Sequence, residues 1–281
     1  MTGRIWRAQD VELEVGPRTL VMGVVNVTPD SFSDGGSFLD HEAAVAHGVR
    51  LAADGADILD VGGESTPPGS DEVSVDEEHG RVLPVVKRLA AEVAVPVSID
   101  TRKAEVARAA IDAGATVVND VSAGRDPDMF GVVRETGAGL VLMHMLGEPK
   151  TMQREPRYDD VVREVRDFLG ERIDAAVAAG IARESIAADP GLGFGKTYEH
   201  NLSLMRRVDD LLELGVPLVV GPSRKSFIGA ALGDLPVDER LEGTAGAVAW
   251  LAAHGAHIVR VHDVREIVRV LRVVDAIRGA P

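Results

Sequence analysis

Short apolar runs and amphipathic stretches alternate along almost the whole chain, and this alternation limits the possible folds more than any other feature. The runs are rich in β-branched residues and apolar almost throughout, which is typical of strands buried on both faces of a parallel sheet. They span residues 20–26, 57–61, 97–100, 116–119, 139–144, 185–189, 218–221 and 257–262. The stretches that follow them carry apolar residues three and four positions apart, as amphipathic helices do. These span residues 42–54, 75–92, 104–113, 127–135, 158–179, 199–214, 241–254 and 264–278.

Eight strand–helix pairs in a chain of 281 residues predict an α/β fold, a (β/α)8 TIM barrel. An open, doubly wound parallel sheet is the alternative. Nothing that resembles a linker divides the chain, so we predict a single domain over residues 1–281. Residues 4–15 alternate in the manner of strands, and we expect a short N-terminal β-hairpin that caps the bottom of the barrel.

The composition excludes several classes of protein. Because the chain has no cysteine, it contains no disulfide framework, thiolate metal site, iron–sulfur cluster or cysteine nucleophile. A formal net charge of −15 argues against general nucleic-acid binding and against docking on anionic membranes, although a few basic side chains can still bind a small anion in a cleft. No apolar run is long enough to span a bilayer and the first residues lack a secretory signal, so we expect a cytoplasmic protein.

Polar side chains and one methionine follow the predicted strands at their carboxyl ends. They are Asn26, Thr28, Asp30, Glu64, Ser65, Thr66, Asp100, Asn119, Asp120, His144, Met145, Asp189, Ser223, Arg224, Lys225, Ser226, Arg260 and His262. Any one of them alone is more easily explained as a helix cap or a turn residue. In a (β/α)8 barrel, however, all of these strand ends meet at one mouth, where the active site is built. The repetition therefore predicts an active site at this mouth.

One group of these side chains indicates a flat heterocycle as ligand. Asp100, Asn119 and Asp189 supply hydrogen-bond acceptors and an amide, and Lys225 supplies a charged donor. A ring with an adjacent ring N–H, exocyclic amine and carbonyl would match such a group.

A second group indicates an anion. Arg260 and His262 lie two residues apart on one strand and therefore face the same side of it. Together with Asn26 and Ser65 they would hold a phosphate or diphosphate. Asn26 and Asp30 offer hard oxygen ligands to a Mg²⁺ ion that keeps most of its waters.

Two glycine-rich segments also need an interpretation. GLGFGK, residues 191–196, superficially resembles a nucleotide-binding loop. A dinucleotide site requires the spacing GxGxxG after the first strand, and a P-loop requires a different glycine spacing before GK[ST], so we exclude both. GESTPPG, residues 63–69, combines prolines with flanking glycines and is expected to form a loop or lid.

Taken together, motifs along the chain resemble dihydropteroate synthases from about residue 19 to residue 279. They are MGVVNVTPDSFSDGG (22–36), GGESTPPG (62–69), VSIDTRKAEVARAA (97–110), VVNDVS (117–122), LMHMLGEPKTMQ (142–153), ADPGLGFGKTYEHN (188–201), GPSRKSFIG (221–229) and HIVRVHDV (257–264). The resemblance implies a pterin-binding (β/α)8 barrel of folate biosynthesis. Its activity would be a transferase reaction that joins 6-hydroxymethyl-7,8-dihydropterin diphosphate to 4-aminobenzoate and releases 7,8-dihydropteroate and diphosphate.

The same resemblance implies which residues bind each substrate. The pterin would contact Asp100, Asn119, Met145, Asp189, Lys225 and Arg260. The diphosphate would contact Asn26, Arg260 and His262, and 4-aminobenzoate would contact Phe32, Thr66, Phe194 and Ser226. Mg²⁺ would bind Asn26 and Asp30, and the groups that take part in catalysis would be Asp100, Lys225, Arg260 and His262.

A mechanism without a protein nucleophile suits these residues. Arg260, His262 and Mg²⁺ would neutralise the diphosphate so that it leaves first, and the aryl amine would then attack the methylene carbon. Loops 27–38 and 63–71 would close to exclude water. By resemblance, sulfonamides would compete with 4-aminobenzoate, and the chain would form a homodimer through its last helices.

Two positions depart from the family's usual pattern. Pro67 stands where an arginine is common, which removes a cation from the second loop, and Pro222 stiffens the turn before the SRK motif. Pro67 leaves open a catalytically weak synthase paralogue that acts as a partner subunit. Another pterin-barrel enzyme, such as a methyltetrahydrofolate:corrinoid methyltransferase, is the other alternative, but it has less reason to keep the SRK, RVH and NVTPDSF motifs.

Overall fold

The computed structural model describes residues 3–27, 36–64, 73–148 and 150–280, with the backbone alone for residues 36–40. Its strands are β1 (Arg4–Ala8), β2 (Val11–Val15), β3 (Leu20–Asn26), β4 (Ile58–Gly62), β5 (Val97–Asp100), β6 (Val117–Asp120), β7 (Gly139–Met143), β8 (Ile186–Asp189), β9 (Val219–Val220) and β10 (Ile258–Val261). Its α-helices are α1 (Gly36–Ala53), α2 (Val75–Glu92), α3 (Ala104–Asp112), α4 (Met129–Thr136), α5 (Val161–Ala178), α6 (Tyr198–Arg206), α7 (Val208–Leu212), α8 (Ser226–Ala231), α9 (Leu241–Ala253) and α10 (Val264–Arg278). Short 3-10 helices lie at Arg183–Ser185 and Val237–Glu239.

Strands β3 to β10 form one parallel sheet in the order β8-β7-β6-β5-β4-β3-β10-β9. A single bridge between Ala188 and Leu218 joins β8 to β9, so the sheet nearly closes on itself. Helices connect successive strands and cover the outside of the sheet. The predicted (β/α)8 barrel is therefore confirmed, and the open doubly wound sheet is wrong.

The seventh barrel strand is shorter than predicted. Residues 218–221 were expected to form it, but β9 contains only Val219 and Val220. Pro217 precedes the strand and Pro222 follows it closely, and proline has no backbone N–H to donate to a sheet ladder. The chain therefore leaves the sheet early, and the loop that carries Lys225 begins directly after Val220.

The sequence predicted one helix over residues 199–214, but the structure has two, α6 and α7, which are separated at Arg207. Arg207 has φ −108° and ψ 32°, outside the helical range. Its guanidinium binds Asp160, 3.0 Å away, and Asp210, 2.7 Å away. These two ion pairs hold the break against the start of α5.

The short helix α8, which was not predicted, has too few residues to show a helical period.

The N-terminal hairpin closes the bottom of the barrel, as predicted. β1 and β2 pair antiparallel, with Trp6 opposite Leu13. The Trp6 side chain is fully buried and its Nε1 donates to the Ser185 carbonyl oxygen at 3.0 Å. It belongs to a cluster with inward-facing residues of the barrel strands, including Met22 and Ile258. The hairpin thus fills the end of the barrel opposite the mouth.

Helix α2 shows how the helices pack on the barrel. Its buried side chains Val82, Val85, Val86 and Leu89 recur at the three- and four-residue spacing of one helix face. Ser74 caps its start by accepting a hydrogen bond from the Glu77 N–H at 3.2 Å. Among the helices of the described residues, none is long and apolar enough to cross a membrane.

Candidate active site at the mouth of the barrel

The strand register brings predicted site residues to neighbouring positions just below the carboxyl-end mouth. Asp100 of β5 lies beside Asn119 of β6, and Asp189 of β8 lies beside Met143 of β7. One cavity opens at this level. Its lining residues are Asp100, Asn119, Val121, Met143, Asp189, Gly191, Leu192, Phe194, Gly221, Lys225 and Arg260. The cavity therefore brings together six of the residues that the sequence singled out, from five different strand ends or loops.

Arg260 joins two carboxylates across the barrel. Its Nε donates to Asp60 Oδ2 at 2.6 Å and its Nη2 donates to Asp100 Oδ2 at 2.7 Å. Burial disfavours the charge on Arg260, but Asp60 and Asp100 outweigh it and hold the arginine pKa above its ordinary value. Nη1 is the guanidinium nitrogen with no hydrogen-bond partner among the described residues, so it can still bind an incoming anion.

Burial raises the pKa of Asp100 above its usual range, because an ionised carboxylate is costly in a poorly solvated cavity. Arg260 opposes that shift and the neighbouring Asp60 adds to it. A raised pKa makes the Asp100 carboxylate a stronger acceptor for ligand N–H groups than an exposed aspartate would be.

Asp60 also sets the orientation of the Asn119 amide. The Asn119 Nδ2 donates to Asp60 Oδ2 at 3.0 Å inside the barrel. An ionised carboxylate can only accept, so the amide nitrogen must point to Asp60 and the amide oxygen is left for a ligand. Asn119 therefore presents a hydrogen-bond acceptor to the cavity.

Asp189 and Lys225 form the other side of the cavity. Asp189 Oδ1 accepts from the Gly191 N–H at 2.7 Å, and burial raises the pKa of this carboxyl to about 6. Burial and the nearby Arg260 lower the pKa of Lys225 to about 8. At neutral pH, both groups are therefore mostly charged. Because each pKa lies within about one unit of neutral pH, a bound ligand can change the protonation of either group.

Phe194 lies beneath the ammonium group of Lys225. The Lys225 Nζ is 4.0 Å from the centre of the Phe194 ring, which is within the range of a cation–π contact. Behind Phe194 lies a small apolar cluster of Val121, Met143, Met145 and Met152. Met143 lines the cavity, whereas the predicted pterin contact Met145 packs behind it.

His262 lies beside the cavity rather than in its lining. Its Nδ1 is 3.0 Å from Ser223 Oγ, and its backbone N–H donates to the same oxygen at 3.2 Å. Burial, together with Arg260 and Arg224, lowers the pKa of His262 to about 3. Burial beside these two arginines therefore favours the neutral form of the imidazole.

The turn that carries Lys225 is held in a strained shape. Arg224 has a φ of 59°, a left-handed conformation that is uncommon for a residue with a side chain. Its guanidinium pairs with Asp263, with Nε 3.0 Å from Oδ2, and its backbone N–H donates to Thr244 Oγ1 at 3.1 Å. Pro222 is buried at the start of this turn, and its carbonyl oxygen accepts from the Lys225 N–H at 3.3 Å.

The remaining predicted contacts lie at the rim or outside the described residues. Asn26 ends β3 with an exposed side chain, and Ser226 is exposed at the start of α8. Asp30, Phe32, Thr66 and Pro67 lie outside the described residues. Within the described ranges, no group of three or more histidine, aspartate or glutamate side chains is arranged to hold a metal ion.

Sequence reasoning missed Asp60, which contacts two of the predicted site residues. It searched the ends of the strands, whereas Asp60 lies inside β4 with an apolar residue on either side, Leu59 and Val61. The side chain is fully buried and one of its oxygens, Oδ1, has no hydrogen-bond partner among the described residues. A lone charge inside an otherwise apolar strand was the signal that was available.

A network of charges around the rim was also missed. Lys103 Nζ lies 2.6 Å from Glu64 and 2.6 Å from Glu78, and Arg102 binds the other oxygen of Glu64 at 3.0 Å. Burial disfavours the charge on Lys103, but hydrogen bonds to Glu64 and Glu78 hold its pKa above its ordinary value. Glu64 is the last described residue after β4, so this network fixes the chain where it leaves that strand.

Comparisons with known proteins agree with this geometry. The family described as pterin binding enzyme matches residues 22–262. A dihydropteroate synthase of Escherichia coli (strain K12) is 48% identical over 260 residues, which cover 92% of each protein. The structure of the Xanthomonas albilineans dihydropteroate synthase with 4-aminobenzoic acid superposes with a TM-score of 0.93 at 48% identity, over all of both chains. The Yersinia pestis enzyme in complex with a sulfonamide drug gives a TM-score of 0.92 at 42% identity, covering 98% of this chain and 100% of that one.

Proposed function

The chain belongs to the dihydropteroate synthase family of pterin-binding enzymes, and from that membership we propose how its own residues carry out the reaction. The substrates are 6-hydroxymethyl-7,8-dihydropterin diphosphate and 4-aminobenzoate, and the products are 7,8-dihydropteroate and diphosphate. The observation that carries the proposal is the single cavity lined by Asp100, Asn119, Asp189, Lys225 and Arg260. Two acids, one oriented amide and two cations suit a ring that has N–H donors on one edge and acceptors on the other.

We propose that the pterin is bound through complementary hydrogen bonds. Asp100 and Asp189 accept from its ring N–H and exocyclic amine, and the outward oxygen of Asn119 accepts a further N–H. Lys225 donates to the ring carbonyl or a ring nitrogen. Support comes from the fixed orientation of Asn119 and from the raised pKa values of both acids, which favour strong acceptance of a ligand proton donor.

The diphosphate binds at the rim above Arg260. Nη1 of Arg260 and the imidazole of His262 donate to its oxygens, and Asn26 lies on the neighbouring strand β3. Asn26 with Asp30 would hold a Mg²⁺ ion, which fits an ion that takes only one or two protein oxygens and completes its shell with substrate phosphate and water. When bound, the metal would supply positive charge to the leaving group.

4-Aminobenzoate binds over Phe194 and near Ser226, with Phe32 and Thr66 completing its site. A sulfonamide competes for the same position, as the Yersinia pestis complex suggests by analogy. The C–O bond to diphosphate breaks first and its electron pair leaves with the diphosphate. The amine nitrogen then bonds to the methylene carbon and gives up a proton to the released diphosphate. Asp100 stabilises the positive charge that develops between these steps.

The experiment that tests this function is direct. Purified protein is given the pterin diphosphate, 4-aminobenzoate and Mg²⁺, and 7,8-dihydropteroate is quantified by chromatography. Lys225→Met is expected to reduce kcat/KM by about a hundredfold or more, because a preorganised cation is lost from a poorly solvated site. Lys87→Met, on the exposed face of α2, is the matched control and is expected to behave as wild type.

Two results would contradict the proposal. A folded protein that forms no dihydropteroate and does not restore growth of a strain lacking the synthase would indicate the weak paralogue. Methyl transfer to a corrinoid acceptor would indicate the other pterin-barrel activity.

We also propose that the protein is a homodimer and that it acts in the cytoplasm. Large apolar side chains are exposed on the last two helices, namely Trp250 at 46%, Val273 at 60% and Ile277 at 70%, which supports a homodimer through α9 and α10. Sedimentation of a monomer at micromolar concentration would contradict this. We place the reaction in the cytoplasm, which suits a chain without cysteine.

A further inference from the structure

The GLGFGK motif forms a tightly packed loop, residues 191–196, that we call the glycine loop. Gly191, Gly193 and Gly195 have φ values of 64°, 82° and 61°, which favour glycine over any other residue. A Cβ atom on Gly191 would lie 2.0 Å from the His144 carbonyl oxygen, and one on Gly195 would lie 2.7 Å from Leu146 Cβ. The glycine loop is therefore pressed against the backbone that follows β7.

Lys196 joins these two segments from the inside. Its side chain is almost fully buried, with 3% of its surface exposed. Its Nζ lies 2.9 Å from His144 Nδ1 and donates to the carbonyl oxygens of Phe194 at 2.9 Å and His144 at 3.4 Å. One ammonium group thus hydrogen-bonds to both segments.

His144 is in the right state to accept this bond. Burial and the charge of Lys196 lower the pKa of His144 to about 2, so the imidazole is neutral. In the tautomer that carries its proton on Nε2, Nδ1 accepts a hydrogen bond from Lys196 Nζ. Burial lowers the pKa of Lys196 to about 7, because removing an ammonium group from water disfavours its charged form. The contacts with His144 and the Phe194 carbonyl oxygen offset part of this desolvation cost.

Other side chains hold the rest of the glycine loop. Gln153 Nε2 donates to the Gly193 carbonyl oxygen at 2.7 Å, and Asn201 Oδ1 accepts from the Gly193 N–H at 2.7 Å. Tyr158 Oη donates to the Gly195 carbonyl oxygen at 2.9 Å. The loop therefore has one defined position relative to the barrel mouth.

That position determines where two cavity groups lie. Phe194 belongs to the glycine loop and its ring lies 4.0 Å below Lys225 Nζ. A Cβ atom on Gly193 would lie 3.0 Å from Lys225 Cδ, so the lysine stem rests directly on the loop backbone. A shift of the loop would move Phe194 and remove the surface that supports Lys225.

We propose that Lys196 is a positioning residue, which hydrogen-bonds the glycine loop to the segment after β7. By fixing the loop, it fixes where Phe194 and Lys225 lie relative to the two substrates. This inference rests on the proposed function, because it assigns Phe194 to 4-aminobenzoate and Lys225 to the pterin. It also explains the GLGFGK motif without a nucleotide. The glycines allow close contact, and the lysine fixes it.

The first test compares Lys196→Met with Lys87→Met, both of which replace a lysine by an uncharged side chain of similar length. Lys196→Met is expected to raise the KM for 4-aminobenzoate and weaken pterin binding measured by calorimetry, each by about tenfold or more, because misplaced groups lose productive geometry. A merely structural lysine would lower the melting temperature and the fraction of active enzyme while leaving KM and the pterin Kd unchanged, and that result would overturn the inference.

The second test changes the acceptor and remains decisive if Lys196→Met does not fold. His144→Asn keeps an oxygen close to the position of Nδ1, whereas His144→Leu removes the acceptor. We expect the asparagine variant to retain KM values within about threefold of wild type and the leucine variant to show the tenfold losses. Equal behaviour of the two variants would overturn the inference. An inactive wild-type protein would instead overturn the proposed function, and this inference with it.

Discussion

At the scale of single residues, Asp60 orders much of the cavity through one carboxylate oxygen. Its Oδ2 accepts from Arg260 Nε at 2.6 Å and from Asn119 Nδ2 at 3.0 Å. The first bond holds the guanidinium beneath the rim, and the second turns the amide oxygen of Asn119 towards the cavity. Asp60 does not line the cavity, so it acts through these two residues as a positioning residue.

We predict that Asp60→Asn lowers kcat/KM for the pterin diphosphate by about tenfold to a hundredfold. An asparagine can donate as well as accept, so it no longer specifies the Asn119 orientation, and it removes a charge that balances Arg260. Steady-state kinetics at several pterin diphosphate concentrations would measure the change. Asp112→Asn, exposed at the end of α3, is the control. Wild-type kinetics in a folded Asp60→Asn protein would show that Asp60 does not position either group.

At the scale of secondary-structure elements, ion pairs join loops that belong to separate strand–helix units. Lys103, which precedes α3, bonds both Glu64 after β4 and Glu78 in α2. The side-chain exposures are 13% for Lys103, 10% for Glu64 and 0% for Glu78, so these charges are shielded from water. Such a pair is costly to break from one side, because the remaining charge stays buried without compensation.

We predict that Lys103→Met lowers the free energy of unfolding by about 3 kcal/mol, because Glu64 and Glu78 lose their shared cation. Urea denaturation would measure this, with Lys87→Met as a control that changes it by less than about 0.5 kcal/mol. Adding Glu78→Gln to Lys103→Met should restore part of the loss, since the buried charge is then gone. If the double variant were no more stable than Lys103→Met, the ion pair would not explain the loss.

At the scale of the whole molecule, the two ends of the barrel have separate tasks. The hairpin closes the bottom with the fully buried Trp6, whereas the polar cavity lies at the mouth. Packing at the closed end stabilises the barrel on which the cavity is built. Substitutions at the closed end should therefore change stability without changing substrate affinity.

We predict that Trp6→Ala lowers the free energy of unfolding by about 4 kcal/mol, because it leaves a large cavity and an unpaired Ser185 carbonyl oxygen. Ile5→Ala is the matched control on the opposite face of β1, where the side chain is 38% exposed. It should cost less than about 1 kcal/mol. Urea denaturation gives both values, and KM for each substrate should stay at its wild-type value. A changed KM in folded Trp6→Ala would contradict the separation of the two ends.

The local pattern of side chains was sufficient to predict the strand–helix order. The bounds of β3, β5, α2 and α10 agree with the sequence prediction, because a period of two or of about 3.6 residues is visible within a short window. Failures occurred where tertiary contacts override that pattern, at the break held by Arg207 and at the proline-bounded strand β9. The polar strand ends were predictable too, since parallel strands in a barrel all point to the same mouth.

The sequence by itself thus determined the class of fold, the family and most of the polar groups at the mouth, all of which follow from local spacing and recognisable motifs. Only the tertiary structure decided which groups bind one another. Asp60 and Arg260 are 200 residues apart in the chain, and their contact exists because the parallel sheet places β10 beside β3, which pairs in turn with β4. The lowered pKa of His262 and the contact between Lys196 and His144 likewise depend on the folded surroundings, which no short segment of the chain determines.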